Sequence, residues 1–149
     1  MVSKLPVLSS TRVVVVGDVM VDSYWHGETD RVSQEAPVPV VAVGSSEERP
    51  GAAANVALNV VSLGAECTLV GAIGDDAEGQ RLEKTLQAAG VRCDLVRVPG
   101  WQTTRKLRIV SKRQQLLRAD FETPLPIAAA EAIVDRLEAH IASADALVI

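Results

Sequence analysis

A run of four valines at residues 13–16 constrains the fold most, because it makes both faces of a short segment apolar. A strand with one solvent-exposed face alternates apolar and polar residues, whereas an uninterrupted apolar run is typical of a parallel strand covered on both sides. Gly17 and Asp18 follow the run. The pattern therefore predicts a central strand of an α/β fold, with its carboxyl end at Gly17.

Helical and apolar extended segments alternate after this strand. A helix is predicted over residues 51–63, ending at Gly64, and the segment ECTLVGAIG follows it as a buried strand. The segment DDAEGQRLEKTLQAAG predicts a second helix with acidic residues in its first turn. This β-α-β-α order predicts a parallel sheet with helices on its faces.

A second group of strands interrupts that order. Residues 36–43 contain two prolines, which cannot donate hydrogen bonds within a sheet and therefore predict an edge strand. CDLVRV, TRKLRIVSK and QQLLRADFE also predict strands, and the last two are close enough to form a hairpin. The expected division is a core at about residues 12–23, 48–91 and 122–149, with a projecting β sheet at about residues 24–47 and 92–121.

The last segment of the sequence predicts an amphipathic helix, PIAAAEAIVDRLEAHIASA, followed by the beginning of another buried strand, DALVI. The helix carries an apolar stripe formed by Ile127, Ile133, Val134, Leu137 and Ile141. A parallel strand needs cover on both faces, and no further sequence follows DALVI to provide it. We therefore expect residues 1–149 to be the N-terminal part of one larger domain.

Composition and motifs exclude several classes of function. The formal net charge of −4 gives no general attraction for nucleic acid, and no segment predicts a signal peptide or a membrane span, so a cytoplasmic protein is expected. Neither GxxxxGK[ST] nor GxGxxG occurs. Cys67 and Cys93 lack CxxC or zinc spacing, so two buried free thiols are expected, with a disulfide as the alternative that the sequence leaves open. Asp75, Asp76 and Glu78 lie at a helix start, which indicates capping, so no metal site is predicted.

Two aspartates lie just past the first strand, at the edge of the sheet where α/β folds bind ligands. A carboxylate at this edge can accept hydrogen bonds from two sugar hydroxyls at once. The alternative is a turn or capping role. The spacing favours that alternative for Asp18 and leaves both interpretations open for Asp22.

The segment RPGAAANVALN surrounds one amide, Asn55, with small residues at a predicted helix start. Small residues let a ligand approach the free backbone N–H groups, and Gly51 permits a turn that a side chain would prevent. An amide suits a hydroxyl because both can donate and accept. Close helix packing, with Asn55 as a local cap, is the alternative that the spacing leaves open.

Positive charge is concentrated within residues 101–119, a stretch that contains no acid. The basic residues are Arg105, Lys106, Arg108, Lys112, Arg113 and Arg118. On a strand, Lys106, Arg108 and Lys112 share one face and the intervening apolar residues share the other. This arrangement favours a flap over an anionic small molecule, with a solvated strand face as the alternative.

Together these segments resemble the ribokinase-like carbohydrate kinases. GDVMVD, RPGAAANVALNVVSLGAECTLVGAIGDDAEG and the interrupting strands occur in the family's order, over about residues 12–149. GDVMVDSYWHGETDRVSQEAPVPVV, ERPGAAANVA and TTRKLRIVSKRQQLLRADFE narrow the resemblance to kinase domains for D-glycero-β-D-manno-heptose 7-phosphate. The fold implied is a ribokinase-like parallel sheet with helices on both faces and a small projecting β lid, incomplete at its C-terminus.

The resemblance implies transfer of the γ-phosphate of ATP, with Mg²⁺, to the anomeric hydroxyl of the heptose 7-phosphate, a step of ADP-heptose synthesis for lipopolysaccharide. It also implies a homodimer formed through the β lid. By matching positions, Asp22, the segment Gly51–Ala52 and Asn55 are expected to bind the sugar. The basic segment adds Arg105, Lys106 and Arg108 to the residues expected to bind the sugar phosphate. Among these, Lys106 and Arg108 are expected to contact the 7-phosphate.

Two departures from the family's pattern qualify these expectations. The family usually has two glycines where this chain has Gly51 and Ala52. The family's catalytic base, its anion hole and most of its ATP site belong to a C-terminal half that this sequence does not include, so the isolated chain is expected to be inactive. The alternatives are a non-catalytic sugar-phosphate-binding or dimerising module, and a kinase for another sugar phosphate, such as a ketose phosphate.

Overall fold

A computed structural model describes residues 8–149, which form two β sheets and three helices. The elements in chain order are β1 (Arg12–Val16), β2 (Val19–Val32), β3 (Pro39–Ala52), α1 (Ala53–Ser62), β4 (Glu66–Gly74), α2 (Ala77–Ala88), β5 (Arg92–Val98), β6 (Thr104–Ser111), β7 (Gln114–Phe121), α3 (Ile127–Ile141) and β8 (Ala146–Val148). The first sheet has the strand order β5-β4-β1-β8, with every pairing parallel. We call the second sheet, with the order β3-β2-β6-β7, the lid sheet.

The parallel sheet is covered on both faces, as the valine run predicted. Leu69 and Ile73 of β4 are fully buried in one apolar cluster with Ala54 of α1 and Leu86 of α2. Ala72 lies on the other face of the same strand, in a second cluster with Ala129 of α3. Because β1 pairs with both β4 and β8, it is a central strand, and its carboxyl end opens toward the lid sheet.

The lid sheet has mixed pairing. Strand β2 is antiparallel to β3 and parallel to β6, and β6 and β7 form the predicted hairpin. Lys112 and Arg113 occupy the hairpin turn with φ angles of 48° and 69°. A two-residue hairpin turn of this kind requires positive φ at both central positions. The prediction that Lys112 shares a strand face with Lys106 and Arg108 is therefore wrong.

One strand assignment is also wrong. We expected CDLVRV in the projecting sheet, but these residues belong to β5, which pairs with β4 in the parallel sheet. A crossover through a helix such as α2 returns the chain beside the strand it left. Leu95 and Val96 of β5 pack into the clusters on opposite faces of the sheet, so the segment is buried in the same way as its neighbour.

The edges of both sheets have features that the sequence only partly indicated. Strand β3 is at an edge of the lid sheet, as its prolines predicted, but it continues to Ala52 and enters α1 directly. On α3 the apolar stripe is only half covered: Ile133 packs against the second cluster, whereas Ile127 is 79% exposed. Strand β8 pairs with β1, and its three residues are exposed.

Cys67 and Cys93 are free thiols, as predicted. Burial raises the pKa of each to about 11, with a further contribution from Glu83 at Cys93, so both are protonated at neutral pH. Among residues 8–149, no helix is long and apolar enough to cross a bilayer.

Candidate functional site

One face of the lid sheet carries three of the seven predicted binding residues, Asp22, Lys106 and Arg108, and we call it the charged face. In register, Asp22 of β2 lies opposite Lys106 of β6, and Tyr24 lies opposite Arg108. Residues that alternate along a strand, and those directly opposite on its neighbour, share a face. The two basic residues and the aspartate predicted to bind a sugar phosphate are therefore brought together.

Asp22 and Arg108 form an ion pair in the charged face. Arg108 Nη1 donates to Asp22 Oδ1 at 2.5 Å, and its guanidinium lies 5.2 Å from the centre of the Tyr24 ring. The bond from Asp22 raises the pKa of Arg108 despite partial burial. Because Tyr24 and Asp22 both contact the guanidinium, they fix the position of its charge.

Gly51 makes room for the Asp22 carboxylate. A Cβ atom at Gly51 would lie 2.7 Å from Asp22 Oδ2 and 2.9 Å from Met20 Cγ, closer than side-chain atoms approach. Gly51 pairs with Met20 in the β2–β3 register. The glycine therefore permits the carboxylate to lie against the backbone of β3 just before α1. This is the position at which a sugar was expected from the sequence.

Lys106 is paired with two carboxylates on the same face. Its Nζ donates to Asp120 Oδ2 at 3.1 Å and to Glu122 Oε2 at 2.8 Å. These bonds raise the pKa of Lys106, and the bond to Glu122 contributes most. Asp120 Oδ1 also forms an ion pair with Arg118, with Nε at 2.9 Å. The charged face is thus close to neutral rather than basic, since acids from β2 and from the end of β7 compensate the basic segment. Sequence reasoning did not identify Asp120 and Glu122.

A cavity of about 620 Å³ lies at the carboxyl ends of β1 and β4. Its lining includes Asp18 at the end of β1, Lys106 and Glu122 from the lid side, and Trp101. Asp18, which the sequence assigned to a turn, also accepts a hydrogen bond through its backbone carbonyl from the Ala53 N–H at 3.0 Å. The cavity is therefore at the sheet edge where α/β folds bind ligands.

The start of α1 has no side-chain cap. Ala52 is the N-cap residue, and its methyl group accepts no hydrogen bond from the first turn. Asn55 lies in that turn and is exposed. An N-terminus without a capping side chain leaves backbone donors for a ligand.

Arg105 is separated from Lys106 and Arg108 by the strand alternation. Its side chain lies on the opposite face of β6, where Nη1 is 3.3 Å from Glu78 Oε1 and the guanidinium is 4.4 Å from the centre of the Phe121 ring. This contact attaches the lid sheet to the first turn of α2. Successive residues of a strand point to opposite faces, so the position of Arg105 immediately before Lys106 in the sequence already indicated this placement.

A buried network fixes the beginning of β6. Asp76 caps α2, as predicted, by accepting from the Gly79 N–H at 2.7 Å, and it also accepts from the Thr103 N–H and hydroxyl, each at 2.8 Å. Thr103 is fully buried and accepts from the Gly74 N–H at 2.9 Å. Burial opposes ionisation of Asp76, but these bonds outweigh it and lower the pKa of the carboxyl. Sequence reasoning did not identify Thr103.

Comparison with known proteins agrees with this architecture. The family model of pfkB family carbohydrate kinases matches residues 10–149. The bifunctional protein HldE of Halorhodospira halophila is 50% identical over 149 residues, which cover 100% of this chain and 31% of that protein. The chain thus spans about 30% of the length of the curated relatives it matches.

Two solved structures extend the comparison. A carbohydrate kinase from Agrobacterium tumefaciens superposes with a TM-score of 0.61 at 20% identity, over 74% of this chain and 35% of that one, and shows the shared fold. A ribokinase from Cryptococcus neoformans in complex with ADP superposes with a TM-score of 0.59 at 27% identity, over 74% of this chain and 34% of that one.

Proposed function

Because this chain belongs to the pfkB family of carbohydrate kinases, we propose that it forms the acceptor-sugar half of a kinase for D-glycero-β-D-manno-heptose 7-phosphate. The reaction transfers the γ-phosphate of ATP to the anomeric hydroxyl, and the product serves ADP-heptose synthesis for lipopolysaccharide. The observation that carries the proposal is the Asp22 carboxylate, held by Arg108 and lying against Gly51. The choice of heptose is supported by the similarity to bifunctional HldE proteins.

In this proposal the sugar lies between β2 and the start of α1. Asp22 Oδ2 accepts hydrogen bonds from sugar hydroxyls, while Oδ1 remains bonded to Arg108. The backbone at Gly51 and Ala52 and the exposed amide of Asn55 provide the neighbouring contacts. Each of these groups forms a hydrogen bond with a neutral hydroxyl. A carboxylate or an amide suits this part of the site better than a cationic side chain, because it can accept a hydrogen bond from the hydroxyl.

The phosphate of the acceptor is assigned to Lys106 and Arg108. Both cations are about four-fifths buried, and Lys106 lines the cavity at the end of the parallel sheet. Charges that are largely shielded from water bind an anion more strongly than exposed ones. Direct binding of the phosphate by Arg105 remains a prediction. Because Arg105 lies beside Glu78 of α2, its position favours an indirect contribution, in which Arg105 holds the lid sheet in position.

ATP and Mg²⁺ are the cofactors of the proposed reaction. Among residues 8–149, no three histidine, cysteine, aspartate or glutamate side chains are grouped, and Mg²⁺ in kinases is held by one or two carboxylates together with nucleotide phosphates, so none of the described residues is assigned to it. We therefore assign no step through the nucleotide, and no catalytic base, to this chain. The expected result is no heptose-dependent ADP release by the 149-residue polypeptide in a coupled assay.

A homodimer through the lid sheet is part of the proposal. Trp25, Ile109 and Leu117 lie opposite one another in register on the face away from Asp22, and Trp25 and Leu117 are exposed. A row of exposed apolar side chains favours a protein contact. Sedimentation equilibrium tests it: Leu117→Glu should shift a dimer toward monomer, and an unchanged dimer would exclude this row from the interface.

The proposed sugar site is tested by calorimetric titration with heptose 7-phosphate. Asp22→Asn should weaken binding roughly 10-fold or more, because hydrogen bonds to a charged acceptor contribute about 1.5–3 kcal/mol. Asp30→Asn is the matched control, since it makes the same change at an exposed position of β2 and should leave the dissociation constant unchanged. Equal affinities for the wild type and Asp22→Asn would remove Asp22 from the site.

The identity of the sugar is tested by the same titration with fructose 6-phosphate. Heptose 7-phosphate should bind more tightly, because its additional hydroxyl meets the amide and carboxylate acceptors near α1. Tighter binding of fructose 6-phosphate would leave the assignment to the carbohydrate kinase family unchanged and would overturn the choice of heptose as the substrate.

A further inference from the structure

Lys106 is bonded to two carboxylates that differ in how firmly they are held. Asp120 accepts a hydrogen bond from Lys106 and forms an ion pair with Arg118, and its side chain is 24% exposed. Glu122 bonds Lys106 at 2.8 Å, follows the last residue of β7, and has a side chain that is 53% exposed. Because an exposed side chain beyond a strand end loses little packing when it moves, Glu122 is the carboxylate that can leave Lys106.

The position of Glu122 makes this movement relevant to binding. Glu122 and Lys106 both line the cavity at the end of the parallel sheet, whereas Asp120 does not. An anion that enters this cavity therefore reaches both the Lys106 side chain and the Glu122 carboxylate that is bonded to it. The ammonium has three donors, and two of them are already used by the carboxylates.

We propose that Glu122 and the phosphate group of the acceptor compete for Lys106, so that Glu122 sets the affinity and charge selectivity of the site. This inference rests on the proposed sugar-phosphate function. A phosphate that binds displaces the Glu122 carboxylate toward solvent while Asp120 keeps the lysine in place. A neutral sugar gains nothing from Lys106 and leaves the Lys106–Glu122 pair intact. Because a phosphate has to replace the carboxylate and a neutral sugar does not, the Lys106–Glu122 pair lowers the affinity for phosphorylated sugars alone and so limits the preference of the site for them.

The inference predicts that removing the competitor strengthens anion binding. Glu122→Gln should lower the dissociation constants of heptose 7-phosphate and inorganic phosphate about two- to fivefold, which is the range expected for loss of a partly exposed ion pair. The dissociation constant of the unphosphorylated heptose should not change. Calorimetric titration of the 149-residue chain with these three ligands measures all three values.

Two variants separate direct competition from a general change in charge. Glu138→Gln removes the same charge from an exposed position on α3 and should leave all three dissociation constants unchanged. In a Lys106→Met background, Glu122→Gln should have no effect, because the group for which the anions compete is absent. An equal gain in affinity in that background would overturn the inference.

The outcomes also distinguish this inference from the proposed function. If Glu122→Gln weakens phosphate binding or leaves it unchanged, Glu122 is not a competitor, whatever the sugar. If inorganic phosphate binds neither the wild type nor the variant, Lys106 is not an anion site and the inference fails. If phosphate binds more tightly to the variant but heptose 7-phosphate binds to neither protein, the competition stands and the proposed substrate is wrong.

Discussion

The two sheets of this protein are stabilised in different ways. In the parallel sheet, Leu69 and Ile73 are fully buried among apolar side chains from two helices. On the charged face of the lid sheet, Lys106 and Arg108 are held by ion pairs that retain some contact with water. Burial of apolar surface stabilises by about 25 cal/mol per Å², whereas a partly exposed ion pair contributes about 1 kcal/mol or less.

This difference separates the sheet that determines folding stability from the sheet that responds to a ligand. A close-packed apolar core has one favourable arrangement, while ion pairs at a cavity can exchange one anionic partner for another at little cost. The parallel sheet is therefore expected to determine whether the chain folds, and the lid sheet to determine what it binds. Substitutions of the same type in the two sheets test that division directly.

The largest effect is expected from Leu69→Ala in β4. The change leaves a cavity in the main cluster and should lower the free energy of unfolding by about 2–5 kcal/mol. The matched change in the lid sheet, Leu116→Ala, affects a side chain that is 37% exposed and lies outside the proposed dimer row, and it should cost about 1 kcal/mol or less. Urea denaturation measures both values. Equal losses would show that the lid sheet shares the apolar stabilisation of the parallel sheet.

The next effect concerns the network that joins the sheets. Asp76→Ala removes the acceptor of the Gly79 and Thr103 amides, and Thr103 is fully buried, so the expected loss is about 1–3 kcal/mol. Asp75→Ala is the control because its side chain is adjacent in sequence and exposed. A similar loss in both variants would mean that negative charge near α2, rather than the hydrogen bonds, provides the stabilisation.

The pH dependence of the Asp76 effect follows from its lowered pKa. Hydrogen bonds from Gly79 and Thr103 outweigh burial and lower the folded-state pKa below the ordinary aspartate value of about 3.9. The stabilisation is therefore complete above that value and is lost as the pH falls through the folded-state pKa. The difference in unfolding free energy between the wild type and Asp76→Ala should be constant near neutral pH and shrink below about pH 4.

The parallel sheet was largely predictable because its signals are local. The valines at residues 13–16, the acidic start of α2 and the glycine after α1 each act on neighbouring residues, and Asp76 caps as expected. The shared face of Lys106 and Arg108 also follows from the two-residue period of a strand. The same period places Arg105 on the other face, where it lies.

The compensation of charge was not predictable from one sequence. Lys106 lies opposite Asp120 only because the hairpin between β6 and β7 has one particular register, with a shift next to Ile109. No local pattern specifies such a shift. For the same reason β5 was assigned to the wrong sheet, since an apolar strand does not indicate which partner it joins. The sequence therefore suggested a basic lid where the structure has paired charges.

The smallest effect is expected at Ala52, the residue that connects the two sheets. Ala52 ends β3 and precedes α1 with φ 46° and ψ −125°, a conformation that glycine adopts more readily than alanine. A Cβ atom in left-handed backbone costs about 1–2 kcal/mol, while glycine loses about 0.5–1 kcal/mol of chain entropy on folding. Ala52→Gly should therefore raise the unfolding free energy by up to about 1 kcal/mol, measured in urea.

Ala53→Gly is the control, one residue further along. Ala53 is buried in the first turn of α1, where glycine is a poor helix former, so this variant should lose about 1 kcal/mol. Changes of opposite sign in the unfolding free energy at these two alanines would show that backbone strain is confined to Ala52. They would also show that α1 is stabilised together with the parallel sheet. A loss at both positions would mean that the Ala52 methyl group packs favourably enough to offset its backbone strain, and that the connection is part of the core rather than a hinge between the two sheets.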